Sequence, residues 1–214
     1  MSQTLAELRH EYALGALSEA EVDPDPIQQF QRWLREAISA QLPEPNAMTL
    51  ATADRTGRPY ARVVLLKDCD ADGFVFFTNY RSDKGRQLAE NPHAALVFLW
   101  LDLERQVRIE GTVGKIPLAE SEVYFYGRPR ESRLGALASR QSQVVASRAL
   151  LDERFQQLDA QYPDDNIPMP NQWGGYRVRP TLLEFWQGRH GRMHDRLRYR
   201  RQTDGHWWLE RLEP

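Results

Sequence analysis

The sequence predicts a mainly β protein of the α+β class, an antiparallel barrel flanked by helices. Two observations lead to this fold. Closely spaced β-rich runs with short turns fill residues 47–115, which is typical of an antiparallel sheet that closes to remove its exposed edges. No strand pattern is followed by a GxGxxG loop and a helix, so a dinucleotide-binding parallel sheet is not indicated.

Composition and charge narrow the possible functions. The chain has 214 residues, 41% of them hydrophobic, which suits one domain with a substantial core. Its 28 basic and 30 acidic side chains leave a net charge of -2, so we expect neither nucleic-acid nor membrane partners. The single cysteine, Cys69, excludes an intrachain disulfide and a multi-cysteine zinc site. Early charged residues and the lack of about 20 consecutive apolar residues favour a cytoplasmic protein.

In the N-terminal half, two helices are expected before the sheet. The first covers Thr4 to Leu17, and the second begins after Asp25-Pro26, because proline suits the first turn of a helix. Turn-forming segments and a helix capped by Ser82 separate the strands that follow. The predicted strands are Ala47 to Ala53, Tyr60 to Lys67, Phe74 to Thr78, His93 to Leu101 and Glu104 to Lys115.

In the C-terminal half, three helices precede the last strands. Helical patterns cover 118–127, 130–139 and 147–161, and a loop with three prolines follows them. Three strands then complete the sheet at 176–187, 193–201 and 206–212. The last two strands are joined by a hairpin near Asp204-Gly205.

A cationic segment near the C-terminus is the most informative candidate site. If residues 192–196 are extended, Arg192, His194 and Arg196 share one strand face. Three potential cations this close repel one another unless an anion or an electron-rich ring lies against them. A solvated strand face is the alternative. Metal binding by His190 and His194 is disfavoured, because the nearby glycines oppose a helix and no carboxylate completes a known ligand pattern.

Tyr124, Arg128 and Ser132 are spaced by four residues. On one helix they would line up and could together bind a phosphate. Pro129 disfavours helical angles at Arg128, so we expect a break there and a new helix whose N-terminus faces the site. An ordinary surface tyrosine and arginine are the alternative.

Two further segments could contribute cations. Arg62 and Lys67 bracket an apolar strand and lie on opposite faces, so they should not bind the same ligand group; charged strand ends are a common alternative. A strand ending at Thr78 leads into a helix N-terminus, which favours an anion near Lys84. Ser82 is explained equally well as a structural N-cap.

Read together, these segments resemble the pyridoxamine 5′-phosphate oxidase family. The matching stretches follow in family order along nearly the whole chain, and so many in sequence are highly specific. They are Arg9-His10-Glu11-Tyr12, Arg62 to Lys67, Phe77-Thr78-Asn79, Leu103-Glu104-Arg105-Gln106-Val107, Tyr124 with Arg128-Pro129-Arg130-Glu131-Ser132, Gln141-Ser142, Trp173-Gly174-Gly175-Tyr176-Arg177, Glu184-Phe185-Trp186-Gln187-Gly188 and Arg192-Met193-His194-Asp195-Arg196.

The resemblance implies a homodimeric split β-barrel with FMN at the subunit interface. It implies one domain over 1–214, with N-terminal helices in 4–42 and a dimerisation and active-site region at about 172–214. The implied FMN-binding residues are Arg62, Val63, Val64, Leu65, Leu66, Lys67, Phe77, Thr78, Lys84, Gln106, Gln141, Ser142, Trp186 and Arg196. The implied substrate-binding residues are Arg9, His10, Glu11, Tyr12, Lys67, Tyr124, Arg128, Ser132, Arg192, Met193 and His194, with Arg192 and His194 catalytic. No metal is implied.

The activity that the resemblance implies is the oxidation of pyridoxamine and pyridoxine 5′-phosphates by O2. The products would be pyridoxal 5′-phosphate and H2O2. Residues 9–12 would close over the site, and Arg192 and His194 would cover the pyridine ring. The alternatives are a related split-barrel oxidase with another substrate, such as a phenazine precursor, and a non-enzymatic protein that binds FMN or pyridoxal phosphate.

One position departs from the family pattern. The family has Arg-Lys after the serine, whereas this chain has Asp83-Lys84 after Ser82. A carboxylate near a phosphate site repels the phosphate. We therefore expect Asp83 to turn away or Arg81 or Arg86 to substitute, and we expect FMN to be retained somewhat more weakly.

Overall fold

A computed structural model of the chain describes residues 4–5 and 11–214. The strands are β1 (Ala47–Ala53), β2 (Pro59–Leu65), β3 (Asp68–Asp70), β4 (Gly73–Asn79), β5 (His93–Trp100), β6 (Arg105–Lys115), β7 (Trp173–Gln187), β8 (Asp195–Arg201) and β9 (Trp207–Arg211). The α-helices are α1 (Pro26–Ser39), α2 (Asp83–Glu90), α3 (Leu118–Tyr126), α4 (Arg130–Ala138) and α5 (Arg148–Gln161). Every predicted strand is present, and the short β3 is an addition.

The sheet is antiparallel throughout and runs in the order β2-β1-β5-β6-β7-β4-β3. The long strand β7 pairs along its length with β6 on one side. On its other side it pairs first with β4 and then, from Leu182 onward, with β8. The sheet therefore divides where β7 changes partner. Because β2 and β4 come into contact without pairing, the sheet curls into an open barrel.

The barrel interior is filled by aromatic side chains from the sheet and from α1. Phe30 of α1 lies 4.9 Å from Phe74 and 4.8 Å from Phe98 between ring centroids, and Trp33 lies 5.2 Å from Phe185. As predicted, α1 begins with Pro26, and the Asp25 side chain accepts a hydrogen bond from the Ile27 amide. The apolar periodicity of α1 is explained by this packing.

A second, smaller core lies beneath α3, α4 and α5. Phe125, Leu134, Ile167 and Trp173 are its buried members. Trp173 begins β7, so this core fixes the α3–α4 connection against the start of the strand that spans the molecule. None of the helices in the described part of the chain is long and apolar enough to cross a membrane.

The predicted first helix, Thr4 to Leu17, is not observed where it can be followed. Residues 6–10 lie outside the described residues, and residues 11–17 are irregular. The amides of Ala13 and Leu14 donate to the Glu104 side chain instead of to carbonyls one turn back. Two helices were expected within residues 4–42, and the described residues contain the second of them, α1. The carboxylate of Glu104, which is distant in sequence, takes the place of the hydrogen bonds that a local helix would form.

Candidate functional site

The connection between α3 and α4 confirms the predicted helix break. Helix α3 ends at Tyr126, and Pro129 precedes the first residue of α4. Tyr124 stacks on Phe77 with ring centroids 3.9 Å apart and an interplanar angle of 14°. The Arg128 guanidinium lies 5.0 Å from the Trp173 ring centroid. Aromatic contacts thus hold Tyr124 and Arg128 in place on both sides of the break.

These residues line an open cavity of about 730 Å³, which we call the basic cavity. Its wall is formed by β2, β4, α2, the α3–α4 connection and the start of β7. The predicted site residues in this wall are Val63, Val64, Leu65, Lys67, Phe77, Thr78, Lys84, Tyr124, Arg128, Ser132 and Gln141. Residues from distant parts of the sequence therefore converge on one space.

The electrostatics of the basic cavity favour an anion. The Lys84 amine contacts neutral partners, the Thr78 hydroxyl at 3.4 Å and the Gln141 side-chain oxygen at 3.2 Å. Burial lowers the pKa of Lys84, and the nearby positive charge of Arg62 lowers it further. Burial also lowers the pKa of Arg128. The Arg128 Nη1 atom is buried without a hydrogen-bond partner among the described residues, and the described wall residues include no carboxylate.

Some predicted cofactor residues lie behind or beside this wall. Arg62 donates to the Thr52 hydroxyl at 2.6 Å and to the Gln87 side-chain oxygen at 2.9 Å, while Leu66 is buried in the barrel core. The Ser142 hydroxyl accepts a hydrogen bond from the Asp83 amide at 3.2 Å. Arg62 is not among the described wall residues, but its positive charge lowers the pKa of Lys84 in the cavity.

The structure at the start of α2 shows how the Asp83 carboxylate is placed. Ser82 is the N-cap, and its hydroxyl accepts a hydrogen bond from the Gly85 amide at 3.3 Å. The Asp83 carboxylate forms an ion pair with Arg86, one turn along the helix. Its charge still acts on Lys84, because it opposes the lowering of the Lys84 pKa that burial and Arg62 cause.

A second group of predicted residues lies on the other branch of the sheet. Gln106, Trp186 and Arg196 are direct cross-strand neighbours on β6, β7 and β8, so they share one face of the sheet. Tyr12 and His194 pack on Trp186, with ring centroids 5.5 Å and 4.6 Å away respectively. We call these five residues the aromatic face.

Gly188 makes room for Tyr12 on the aromatic face. A Cβ atom added at Gly188 would lie 2.7 Å from the Tyr12 side chain, closer than two carbon atoms can approach. Glu11 is exposed and lies 3.6 Å from His190, whereas Arg9 and His10 lie outside the described residues.

The prediction that residues 192–196 are one extended segment is wrong. Residues His190–Arg192 form a short 3₁₀ turn, with positive φ angles of 64° at Gly191 and 61° at Arg192, and β8 begins only at Asp195. Strand alternation therefore does not apply to Arg192 and His194. The turn sets His194 against Trp186, and Met193 is largely exposed.

Partners within the chain hold His194 and Arg196. The His194 Nδ1 atom accepts a hydrogen bond from the Arg189 amide at 3.1 Å. Burial lowers the pKa of His194, and the charge of Arg192 adds to the effect. Arg196 forms an ion pair with the buried Glu184 at 2.8 Å. The described residues contain no cluster of three or more potential metal ligands.

The basic cavity and the aromatic face lie far apart along β7. Phe77 of the cavity pairs with Gly175, whereas Trp186 is 11 residues further along the strand, roughly 35 Å of extended chain. No described residue of the cavity wall belongs to the aromatic face. A single chain therefore presents two separate groups of predicted site residues.

Several residues that shape these groups were not predicted as site residues. Trp173 lines the cavity under Arg128, Glu104 binds the chain next to Tyr12, and Glu184 pairs with Arg196. All three lie within or beside the stretches that carry the resemblance. Their roles depend on cross-strand contacts, which spacing along one segment does not reveal.

Comparison with known proteins gives a consistent result. Residues 34–162 match the family described as "Pyridoxamine 5'-phosphate oxidase", and residues 173–214 match a "Pyridoxine 5'-phosphate oxidase C-terminal dimerisation region". The chain is 57% identical over 214 residues to the "Pyridoxine/pyridoxamine 5'-phosphate oxidase" of Trichormus variabilis, covering 100% of both chains. It is 60% identical to that of Salinibacter ruber over 98% of this chain and 99% of the relative.

A solved structure shows the same architecture. The crystal structure of PhzG from Burkholderia lata in complex with tetrahydrophenazine-1-carboxylic acid superposes with a TM-score of 0.89. It is 31% identical in sequence and covers 94% of this chain and 100% of that chain. An FMN-binding protein from Nostoc punctiforme, 18% identical with a TM-score of 0.70 over 86% of this chain and 97% of that one, shares the fold. The split-barrel fold is thus confirmed, and the chain belongs to the pyridoxamine 5′-phosphate oxidase family.

Proposed function

We propose that this chain oxidises pyridoxine and pyridoxamine 5′-phosphates to pyridoxal 5′-phosphate, with FMN as cofactor and O2 as electron acceptor. The observation that carries the proposal is the Arg128 Nη1 atom, buried without a described partner in a cavity whose described wall residues include no carboxylate. A buried cationic donor is stable when an anion satisfies it. Relatives at 57% and 60% identity that bear this oxidase name support the choice of substrate.

The basic cavity has donors for two phosphate groups. Lys84, Thr78 and Gln141 lie together at the N-terminal end of α2, where the helix dipole favours an anion. We assign this cluster to the FMN phosphate, with Arg62 adding charge from behind. The second set, Lys67, Tyr124, Arg128 and Ser132, lies at the α3–α4 connection and would hold the substrate phosphate.

The aromatic face has the groups needed for the two rings. Trp186 offers a flat surface, and Gln106 and Arg196 offer donors on either side of it. These three residues would hold the FMN ring, and the chemistry that FMN would supply when bound is two-electron oxidation of the substrate with O2 as final acceptor. Tyr12, Arg192 and His194 would contact the substrate ring. Burial keeps the pKa of His194 below its usual value, and its Nδ1 atom accepts from the Arg189 amide. The neutral imidazole therefore carries its proton on Nε2 and would donate a hydrogen bond to the substrate.

A complete site would need two copies of the chain. Residues 173–214 match a dimerisation region, and this region contains most of the aromatic face. We propose a homodimer in which the aromatic face of one subunit lies against the basic cavity of the other. The cytoplasmic location expected from the sequence stays a prediction.

The absorption spectrum of the purified protein tests this function. We expect a yellow flavin band that bleaches anaerobically when pyridoxine 5′-phosphate is added and returns, with release of H2O2, when O2 is admitted. Bleaching by a dihydrophenazine carboxylate and not by either B6 phosphate would favour a phenazine-precursor oxidase, to which the structural relative in complex with tetrahydrophenazine-1-carboxylic acid points. A flavin band that neither substrate bleaches would indicate a carrier.

A further inference from the structure

The N-terminal strap, which we define as residues 11–17, has apolar contacts near its two ends. Leu17 is buried in the barrel core and the Tyr12 ring packs on Trp186, whereas Leu14 between them is 67% exposed. The middle of the strap therefore gains little from the hydrophobic effect, and ordering its backbone is unfavourable. The position of this middle part depends on specific polar contacts.

Glu104 supplies the principal contact. One oxygen of its side chain, Oε2, accepts hydrogen bonds from the Ala13 amide at 2.8 Å and the Leu14 amide at 2.9 Å. Glu104 is only 3% exposed, so the carboxylate is shielded from water, which strengthens these charge-assisted bonds. A second carboxylate, that of Asp195, accepts from the Leu17 amide at 3.0 Å at the other end of the strap.

The backbone of Glu104 adopts a conformation that glutamate disfavours. Its φ angle is 53°, in the left-handed region where glycine and asparagine are the usual residues. A non-glycine residue keeps such a conformation when its surroundings require it. The Glu104 carbonyl accepts hydrogen bonds from the Gly188 amide at 2.8 Å and from the Gln187 side chain at 3.2 Å. Glu104 thus joins the strap to the end of β7.

This junction lies directly beside the aromatic face. Tyr12 precedes the two amides that Glu104 binds, and it packs against Gly188, Trp186 and His194. A displacement of the strap would therefore move the Tyr12 ring away from all three residues. The basic cavity, which carries the phosphate-binding cations, has no described wall residue from the strap.

We propose that Glu104 is a positioning residue that holds the strap so that Tyr12 completes the substrate-facing part of the aromatic face. This inference rests on the proposed function, because it assumes that the aromatic face contacts the substrate ring. Glu104 acts on Tyr12 through the backbone of Ala13 and Leu14, whose amides it binds. It should therefore control substrate capture and leave the FMN phosphate site unchanged.

Two substitutions at Glu104 distinguish the effect of its carboxylate charge from the effect of its backbone conformation. Glu104→Gly removes the acceptor and relieves the unfavourable φ angle, whereas Glu104→Gln keeps an oxygen acceptor without the charge. Asp102→Asn is the matched control, since Asp102 is an exposed carboxylate in the same turn. Amide hydrogen exchange of residues 11–17 is measured first in the FMN-loaded proteins without substrate, and FMN affinity and steady-state kinetics follow.

In Glu104→Gly we expect exchange of the strap amides to accelerate by about 10- to 100-fold, as for loss of a hydrogen bond to a charged group. The KM for pyridoxine 5′-phosphate should rise by about tenfold, with FMN affinity unchanged. Glu104→Gln should be intermediate, and Asp102→Asn should match the wild type. A role confined to stability would instead lower FMN affinity and the melting temperature without the separate rise in KM.

The outcomes distinguish this inference from the function on which it rests. If the wild type does not oxidise the B6 phosphates, the proposed function fails, and the exchange measurement still decides whether Glu104 holds the strap. If the wild type is active and both Glu104 variants keep its KM, the positioning role is wrong. Unchanged exchange of residues 11–17 in both variants overturns the inference in either case.

Discussion

The guanidinium of Arg128 is in an unfavourable state in the free protein. Burial lowers its pKa, and its Nη1 atom has no hydrogen-bond partner among the described residues. Leaving a buried charged donor unsatisfied is more unfavourable than losing an ordinary hydrogen bond. The neighbouring Trp173 and Phe125 rings offset part of this through cation–π contacts. Such a side chain is prepared to bind an anion.

Replacing Arg128 should therefore weaken substrate capture more than folding. In Arg128→Ala we expect the KM for pyridoxine 5′-phosphate to rise by about 10- to 100-fold, equivalent to about 1.5–3 kcal/mol for a charged hydrogen bond, with little change in FMN affinity. The melting temperature should not fall, because an unsatisfied buried donor is removed. Arg130→Ala is the control, since Arg130 lies two residues away and pairs with Asp159. Steady-state kinetics would contradict this role of Arg128 if its variant kept the wild-type KM.

At Asp83 the chain carries a negative charge beside the cluster assigned to the FMN phosphate. The carboxylate pairs with Arg86 on the protein surface, but its charge still acts on Lys84. We expect Asp83→Arg to bind FMN more tightly, by up to about fivefold, because surface charge pairs contribute little. Fluorescence titration at low and high salt measures this, and the difference should shrink as salt screens it. Equal FMN affinities of the wild type and Asp83→Arg at low salt would rule the effect out. Glu90→Gln, at the other end of α2, is the control for a change of charge alone.

Strand β7 depends on a close approach to β6 at the point where the sheet divides. The pairing register shifts between Glu110 and Gly111, and a Cβ atom added at Gly111 would lie 2.1 Å from the Arg179 carbonyl oxygen. Backbone cannot yield as a flexible side chain would, so any larger residue at Gly111 must push β6 away from β7.

Two glycine substitutions should consequently have opposite effects on stability. We expect Gly111→Ala to lower the free energy of unfolding by about 1–3 kcal/mol, as for overpacking. Gly135→Ala should raise it by about 0.5–1 kcal/mol, because Gly135 is inside helix α4 and, among the described residues, no atom beyond its chain neighbours and the nearby helix backbone lies within 4 Å of its added Cβ. Urea unfolding measures both. A neutral Gly111→Ala would mean that the bulge has room to relax.

Local rules predicted most elements of this fold. Proline placement gave the start of α1 and the break before α4, and turn-forming segments separated the strands. These features depend on a few adjacent residues, so they can be predicted from the local sequence. The convergence of Lys67, Lys84 and Arg128 on one cavity came from the resemblance and not from spacing.

The elements that were predicted wrongly depend on distant partners or on backbone angles. Residues 11–17 fall within a predicted helix, but the Ala13 and Leu14 amides bind Glu104 about 90 residues away. The shared face of Arg192, His194 and Arg196 required residues 192–196 to be extended, whereas Arg192 adopts a left-handed φ angle that residue identity does not indicate. Tertiary contacts override local pattern at these positions.

Across the whole molecule, β7 connects two groups of residues that one chain does not bring together. Its first residues lie at the basic cavity, and its last residues carry the aromatic face. Both groups have the chemistry for parts of the same ligands, so a dimer with two equivalent shared sites follows from the proposal. Each site would take Arg128 from one subunit and Arg192 from the other.

Mixed dimers test this sharing directly. With substrate well below the KM of the variants, Arg128→Ala and Arg192→Ala should each lose most activity as homodimers, and Arg192→Ala should still bind FMN. In a heterodimer of the two variants, one site would carry both substitutions and the other neither, so about half of the wild-type rate should return. Co-expression with two different affinity tags isolates that heterodimer, and each homodimer prepared with both tags is the control. Since sites confined to single subunits would all remain defective, a heterodimer no more active than its parents would exclude the shared site.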